Sequence, residues 1–227
     1  MTNWFYNLIY GKKDKEIVEL KKQIPNLNPK EAYYNDKYPK LNLTYQRIET
    51  DGTYNVDLRE FINPFNVSIP IINENEDDEI ALQGLCWVID NIKYISDISE
   101  YKSEEYWAYA YQTLFHKQGD CEDGAFLLYN ILLKSGVPYW KLRLSAGYVI
   151  NPNNNKKEGH CYVTYYCETT DKWVVLDWCW FPNRLEITDR KDYKEEKTYG
   201  DVWFSWNQKY CYSQGLNTGA QRMLNLK

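Results

Sequence analysis

The run Gly119-Asp120-Cys121-Glu122-Asp123-Gly124 constrains this chain more than any other stretch. A cysteine sits there at the point where a polar loop gives way to Ala125-Phe126-Leu127-Leu128-Tyr129-Asn130-Ile131-Leu132-Leu133. That apolar run has the length and density of a buried helix. Asp120, with Asp123 three residues on, marks its start as a weak capping-box variant. Gly136 and Pro138 mark its stop. The pattern predicts a helix over 120–134 with Cys121 in the first turn. Unpaired amide groups and the positive end of the helix dipole point at such a position, and both favour a thiolate. The acids Asp120, Glu122 and Asp123 work against this unless they point away or bind a cation.

The segments around this helix read as follows. Residues 12–23 carry apolar side chains at helical spacing and predict a short amphipathic helix. Residues 25–45 are polar and tyrosine-rich and read as an extended arm. Thr44 to Arg59 predicts a hairpin with Asp51-Gly52 as its turn. Helices are expected over 79–95 and 104–115, and a strand over 139–150. A polar loop over 151–159 leads into a hairpin formed by His160–Tyr166 and Trp173–Trp178, with a turn built on Glu168-Thr169-Thr170-Asp171. Further on, residues 189–197 are charged and read as exposed, while Val202-Trp203-Phe204 reads as buried. The expected organisation is an N-terminal extension over 1–75, a core over 76–181 and a C-terminal extension over 182–227 packed on that core.

Charge and composition exclude some classes. A net charge of −5 argues against nucleic acid as the main partner. No stretch approaches the roughly 20 apolar residues of a membrane span. Met1 to Tyr10 lacks the basic start and small-residue cleavage site of a signal peptide. A cytoplasmic location is therefore expected, and the six cysteines read as reduced thiols. Aromatic residues make up 17% of the chain, which suits either an AT-rich coding genome, such as a low-GC bacterium or its phage, or an aromatic-lined groove for peptide or glycan.

The second hairpin carries the chemistry. With an odd register sum, His160 and Asp177 fall on one face, and with a loop at 167–170 they lie directly opposite each other. A carboxylate there accepts the ring N–H and fixes the tautomer, leaving the other nitrogen for a thiol. A helix laid across the His160 face would bring Cys121 to the imidazole. Cys121, His160 and Asp177 together form the constellation of a thiol acyl-transfer enzyme. Oxyanion donors are the Cys121 backbone N–H and the Gln112 side-chain amide. His116 reads as a surface or structural residue, and Cys86, Cys161, Cys167, Cys179 and Cys211 as packing residues.

Gly119-Asp120-Cys121-Glu122-Asp123, the apolar helix, Ser135-Gly136-Val137-Pro138, Gly159-His160 and the strand ending at Asp177 resemble the transglutaminase-like superfamily. Upstream, Tyr94-Ile95-Ser96-Asp97, Tyr106-Trp107 and Gln112-Thr113-Leu114 resemble its bacterial cysteine proteinases, with Gln112 where Glu is usual. The resemblance spans roughly 80–180. It implies an α+β, papain-like fold with the cysteine at the N-terminus of a helix packed on an antiparallel sheet that carries His and Asp. It implies Cys121 as nucleophile, His160 as base and Asp177 as orienting acid. Some members bind calcium through acids flanking the cysteine, and Asp120, Glu122 and Asp123 match those positions. Helix capping and local hydrogen bonds are the plainer role for these three acids.

These readings converge on a thiol-dependent peptidase or amidase that acts on a protein or peptide and requires no cofactor beyond possible calcium. Two alternatives stay open. One is a structural or interaction protein, for example a phage virion component that assembles through residues 25–60. The other is a protein-glutamine transamidase or deamidase.

Overall fold

The computed structural model describes residues 43–213 and 218–224. The predicted helix at 12–23 and most of the arm over 25–45 lie outside them. In chain order the elements are strands β1 (Thr44–Glu49) and β2 (Gly52–Asp57), helix α1 (Asp77–Asn91), strand β3 (Lys93–Tyr94), helix α2 (Asp97–Glu100), helix α3 (Ala110–His116), strand β4 (Gln118–Gly119), helix α4 (Cys121–Lys134), strands β5 (Leu142–Ile150), β6 (Lys157–Cys167), β7 (Lys172–Leu176), β8 (Tyr199–Trp206) and β9 (Cys211–Ser213), and helix α5 (Thr218–Met223). Among the described residues no helix is long and apolar enough to cross a membrane.

Helix α4 is apolar around its whole circumference because it is buried around its whole circumference: every residue from Cys121 to Leu132 is buried. A helix enclosed in this way needs partners on all sides. On one side it meets a five-stranded antiparallel sheet of order β7-β6-β5-β8-β9. Leu144, Cys161, Val163, Leu176, Phe204 and Trp206 share one core cluster with Phe126, Leu127 and Leu128 of α4. Each large side chain buried there contributes about 1.5–3 kcal/mol. Helix α1 also joins this cluster through Leu85 and Val88. Beyond its first turn, Asn130 is the polar exception within α4, and its Nδ2 donates to the carbonyls of Phe61 and Phe126.

The other face of the sheet holds a smaller cluster of Val149, Tyr162 and Val175 with Trp180, Phe181, Tyr193 and Tyr199 around it. The chain thus has the α+β architecture expected, a buried helix on an antiparallel sheet. Strands β8 and β9 belong to that sheet, and Trp203 and Phe204 are buried as expected. The hairpin β1–β2 is also part of the packed structure. Tyr45 stacks on Trp107 at 4.7 Å, and Trp107 stacks on Trp206 at 5.9 Å.

Several local expectations shift. The tight turn of the first hairpin is Thr50-Asp51, because Glu49 pairs with Gly52. Helix α1 starts at Asp77 and ends at Asn91, and Lys93-Tyr94 instead pairs in parallel with Gln118-Gly119. The helix expected over 104–115 is confined to Ala110–His116. The reason lies in two carboxylates: Asp97 takes the N–H of Tyr106 and Asp123 takes the N–H of Ala108, which holds this stretch outside the helix. Residues Tyr139–Lys141 form a 3-10 turn ahead of β5.

Candidate active site

The β6–β7 hairpin turns at Glu168-Thr169-Thr170-Asp171, as expected, and not at 167–170, the loop that would set His160 directly opposite Asp177; Asp171 has φ +57°. Cys167 pairs with Lys172 and Val163 with Leu176. The register sum is odd, as expected, so His160 and Asp177 keep the same parity. They are not directly opposite, however, because the register that pairs Val163 with Leu176 would set Asp177, just beyond the end of β7, against Tyr162. The side chains still meet: His160 Nε2 and Asp177 Oδ2 are 2.9 Å apart, with both groups buried.

Asp177 is surrounded by donors. Oδ1 accepts from the backbone N–H of Cys179 at 3.0 Å and of Trp180 at 3.2 Å. Oδ2 accepts from His160 and from the Tyr199 hydroxyl at 2.8 Å. Burial alone would raise this carboxyl, but His160, the Cys179 N–H and the Tyr199 hydroxyl together hold it below the ordinary carboxylate value. An ionised carboxylate only accepts, so His160 carries its proton on Nε2. His160 Nδ1 is buried and has no hydrogen-bond partner. Trp180 lies flat on the imidazole, with centroids 4.1 Å apart and planes 16° apart.

Cys121 opens α4 as expected, but the helix lies on the opposite face of β6 from the one anticipated. Cys161, Val163 and Tyr165 face α4, while His160 alternates with them and belongs with Tyr162 and Thr164. The cysteine turn instead meets the end of the hairpin through Trp178, whose indole donates to the Cys121 carbonyl at 3.0 Å. Both motif glycines are explained by close contacts. A Cβ on Gly124 would lie 2.1 Å from the Trp178 ring, and one on Gly119 would lie 2.6 Å from Asp123 Cβ. The Cys121 thiol donates to Glu122 Oε2 at 3.2 Å, and no hydrogen bond joins it to His160. Burial, with the Asp120 carboxylate next, pushes the thiol well above its usual value. The lowering expected from the helix terminus is outweighed in this arrangement.

Of the three flanking acids only Asp123 contributes to the cap, by accepting from the Asp120 N–H. Asp120 occupies the N-cap position without a side-chain capping bond. Asp97, Asp120, Glu122 and Asp123 offer oxygens that all lie within 4.8 Å of one another. Burial, and then their mutual repulsion, raises Asp120, Glu122 and Asp123 well above the carboxylate range. Burial also raises Asp97, to about 7. Asp120 Oδ1, Glu122 Oε1 and Asp123 Oδ2 are buried without a partner. A dry cluster of oxygen-only donors with unpaired atoms fits a hard cation such as calcium. Asp97 was missed as a member of this cluster, although the Tyr94-Ile95-Ser96-Asp97 run was the signal for it.

Gln112 is engaged elsewhere. Its Oε1 accepts from the Tyr109 N–H at 2.9 Å and from Arg47 at 3.4 Å, and none of its bonds reaches Cys121 or His160. It caps α3 rather than facing the thiol. His116 is half-exposed and sits 4.0 Å from Glu100.

Residues 70–178 match the family model of the transglutaminase-like superfamily. They are a transglutaminase-like domain. Among curated proteins none matches the sequence. Among solved structures, Legionella pneumophila LapG is similar at 20% identity and a TM-score of 0.47, over 67% of this chain and 76% of that one. Its calcium-bound form is similar at 20% identity and a TM-score of 0.45, over 65% and 78%. A candidate cysteine protease from Cytophaga hutchinsonii gives 19% identity and a TM-score of 0.36, over 63% and 47%. These likenesses are too loose to transfer a site or an activity to the transglutaminase-like domain.

Proposed function

We propose that the chain is a cysteine peptidase or related amidase, a thiol-dependent acyl-transfer enzyme acting on a protein or peptide. Cys121 is the nucleophile, His160 the base and Asp177 the group that orients it. One observation carries this reading: a fully buried imidazole whose Nε2 is committed to a carboxylate and whose Nδ1 has no partner. Leaving a buried acceptor unpaired costs about 1–3 kcal/mol, and such a group calls for a functional explanation.

In this mechanism Cys121 Sγ attacks the substrate carbonyl carbon and its proton passes to His160 Nδ1. The tetrahedral oxygen is met by the Cys121 backbone N–H, which has no intrahelical acceptor in the first turn. The imidazolium then protonates the leaving amine, the C–N bond breaks and a thioester remains. Water, deprotonated by the same nitrogen, hydrolyses the thioester and frees the thiol. Asp177 stays ionised throughout and stabilises the imidazolium. The thiol must leave Glu122 to meet His160, and catalytic hydrogen bonds of this kind often close only around substrate.

Asp97, Asp120, Glu122 and Asp123 are the residues that would hold calcium. When bound, the ion supplies positive charge that offsets these acids beside the thiol.

The test is alkylation of the full-length protein with iodoacetamide, with the labelled cysteines mapped by mass spectrometry. With calcium added to offset the flanking acids, Cys121 reacting faster than the other five cysteines, and losing that advantage in His160→Ala, supports the reading. Cys121 reacting no faster than an ordinary thiol overturns it.

A further inference from the structure

We propose that Tyr199 is a positioning residue for this reaction, whose hydroxyl holds Asp177 in place against His160. The proposal rests on the thiol–imidazole reading above and extends it beyond residues 70–178, the span of the transglutaminase-like domain.

Asp177 lies past the last paired residues of β7, so no strand ladder fixes it. Its orientation depends on donors to its own oxygens. Oδ1 is held by two backbone N–H groups of the turn that follows. Among the described residues Oδ2 has only His160 and Tyr199, at 2.9 and 2.8 Å. Without the tyrosine, the oxygen that faces the imidazole has no donor other than the imidazole itself. The carboxylate is then fixed only by its Oδ1 bonds to the turn, and the Nε2–H tautomer is less strongly enforced.

Tyr199 is built to supply that donor. It opens β8, where it pairs with Val149, and its backbone N–H is bonded to the Glu196 carbonyl. Its ring packs edge-on against Tyr162 at 4.7 Å and against Phe181 at 6.0 Å. Burial and the nearby Asp177 charge keep the hydroxyl protonated, so it stays a donor wherever the enzyme works. A strand-start tyrosine from the C-terminal part of the chain thus reaches under the sheet end and completes the environment of Asp177.

The experiment compares full-length wild type with Tyr199→Phe, which removes one oxygen and keeps the ring packing. Two readouts are taken: the iodoacetamide rate at Cys121, and the ring 15N shifts of histidine-labelled protein. His116 serves as the internal reference. In wild type, neutral His160 carries its proton on Nε2. Tyr199→Phe is expected to show a mixture of tautomers at His160 and an alkylation rate about tenfold lower, with His116 unmoved. Phe181→Leu loosens the same aromatic cluster without touching Asp177. It should lower the melting temperature and leave both readouts in place.

If Tyr199→Phe does not fold, Tyr199→Gln is compared with Tyr199→Leu. Both lose the ring, and only glutamine can donate. A faster glutamine variant supports the role, and equal rates overturn it. A fast wild-type thiol with both readouts unchanged in Tyr199→Phe overturns the role of Tyr199 alone. A wild-type Cys121 no faster than the other thiols overturns the catalytic reading and this proposal together.

Discussion

Trp178 Nε1 donates to the carbonyl oxygen of Cys121 at 3.0 Å, so the residue that follows Asp177 grips the residue that opens α4. This contact joins the two halves of the proposed site. It also explains Gly124, since any side chain there would collide with the indole. Gly124→Ala should therefore cost about 1–3 kcal/mol through overpacking, read as a fall in the urea midpoint. Trp178→Phe should be milder in stability, at about 1 kcal/mol. It should nevertheless slow Cys121 alkylation several-fold because the cysteine turn loses its anchor. Equal alkylation rates in Trp178→Phe and wild type would show that the indole only fills space.

The acid cluster predicts a response to calcium. A site that binds only the folded chain stabilises it by about 2.7 kcal/mol at a hundredfold excess over the dissociation constant. For a chain of this size that corresponds to a rise of roughly 5–10 °C in melting temperature. The rise should vanish in Asp123→Asn and on addition of a chelator. Magnesium should do less, because four clustered carboxylates suit a larger ion with several oxygen ligands. A melting curve indifferent to calcium would leave the clustered acids without a cation.

Much of this arrangement was legible in the sequence, and the failures have common physical causes. Helix α4 was readable because its capping position, apolar run and glycine stop all agree. The pairing of His160 with Asp177 was readable because strand alternation keeps both on one face, even though the register does not set them directly opposite. The stretch 104–109 was misread as helix because two distant carboxylates, on Asp97 and Asp123, take its backbone N–H groups. No local pattern announces such long-range acceptors. The face on which α4 lies was misread for a related reason. Parity tells which residues share a face, but not which face a helix will cover. Tyr199 and Trp178 were missed as site residues because an aromatic side chain in a strand or turn looks the same whether it fills a core or points a hydroxyl at a carboxylate.

The depressed Asp177 carboxyl makes a pH prediction with a definite sign. A carboxyl whose folded value lies below its unfolded value contributes stability that is present above the unfolded value, about 3.9. That contribution is lost as the pH falls through the lower folded value. Asp177→Asn should thus be less stable than wild type by about 2 kcal/mol near neutrality. The gap should close in strong acid, where wild-type Asp177 is itself protonated. Urea titrations of both proteins at several pH values measure this. A gap that stays constant into strong acid would mean that the charge of Asp177 is not what matters.

Trp180 makes the last prediction, through the imidazole it covers. Its ring lies 4.1 Å from the His160 ring and nearly parallel to it, and His160 is fully buried. The side chain of His116, by contrast, is 45% exposed. Diethyl pyrocarbonate should therefore modify His116 readily and His160 hardly at all in the wild-type protein. Removing the indole in Trp180→Ala should expose the imidazole and bring the His160 rate up at least tenfold, while the His116 rate stays level. The substitution also forfeits ring stacking and packing against the smaller cluster, together about 3–5 kcal/mol, which a chain at the upper end of ordinary stability withstands. A rise at both histidines would point to general loosening instead. A rise at His160 alone would identify Trp180 as the cover over the proposed base, and substrate that reaches Nδ1 must then pass this ring or move it.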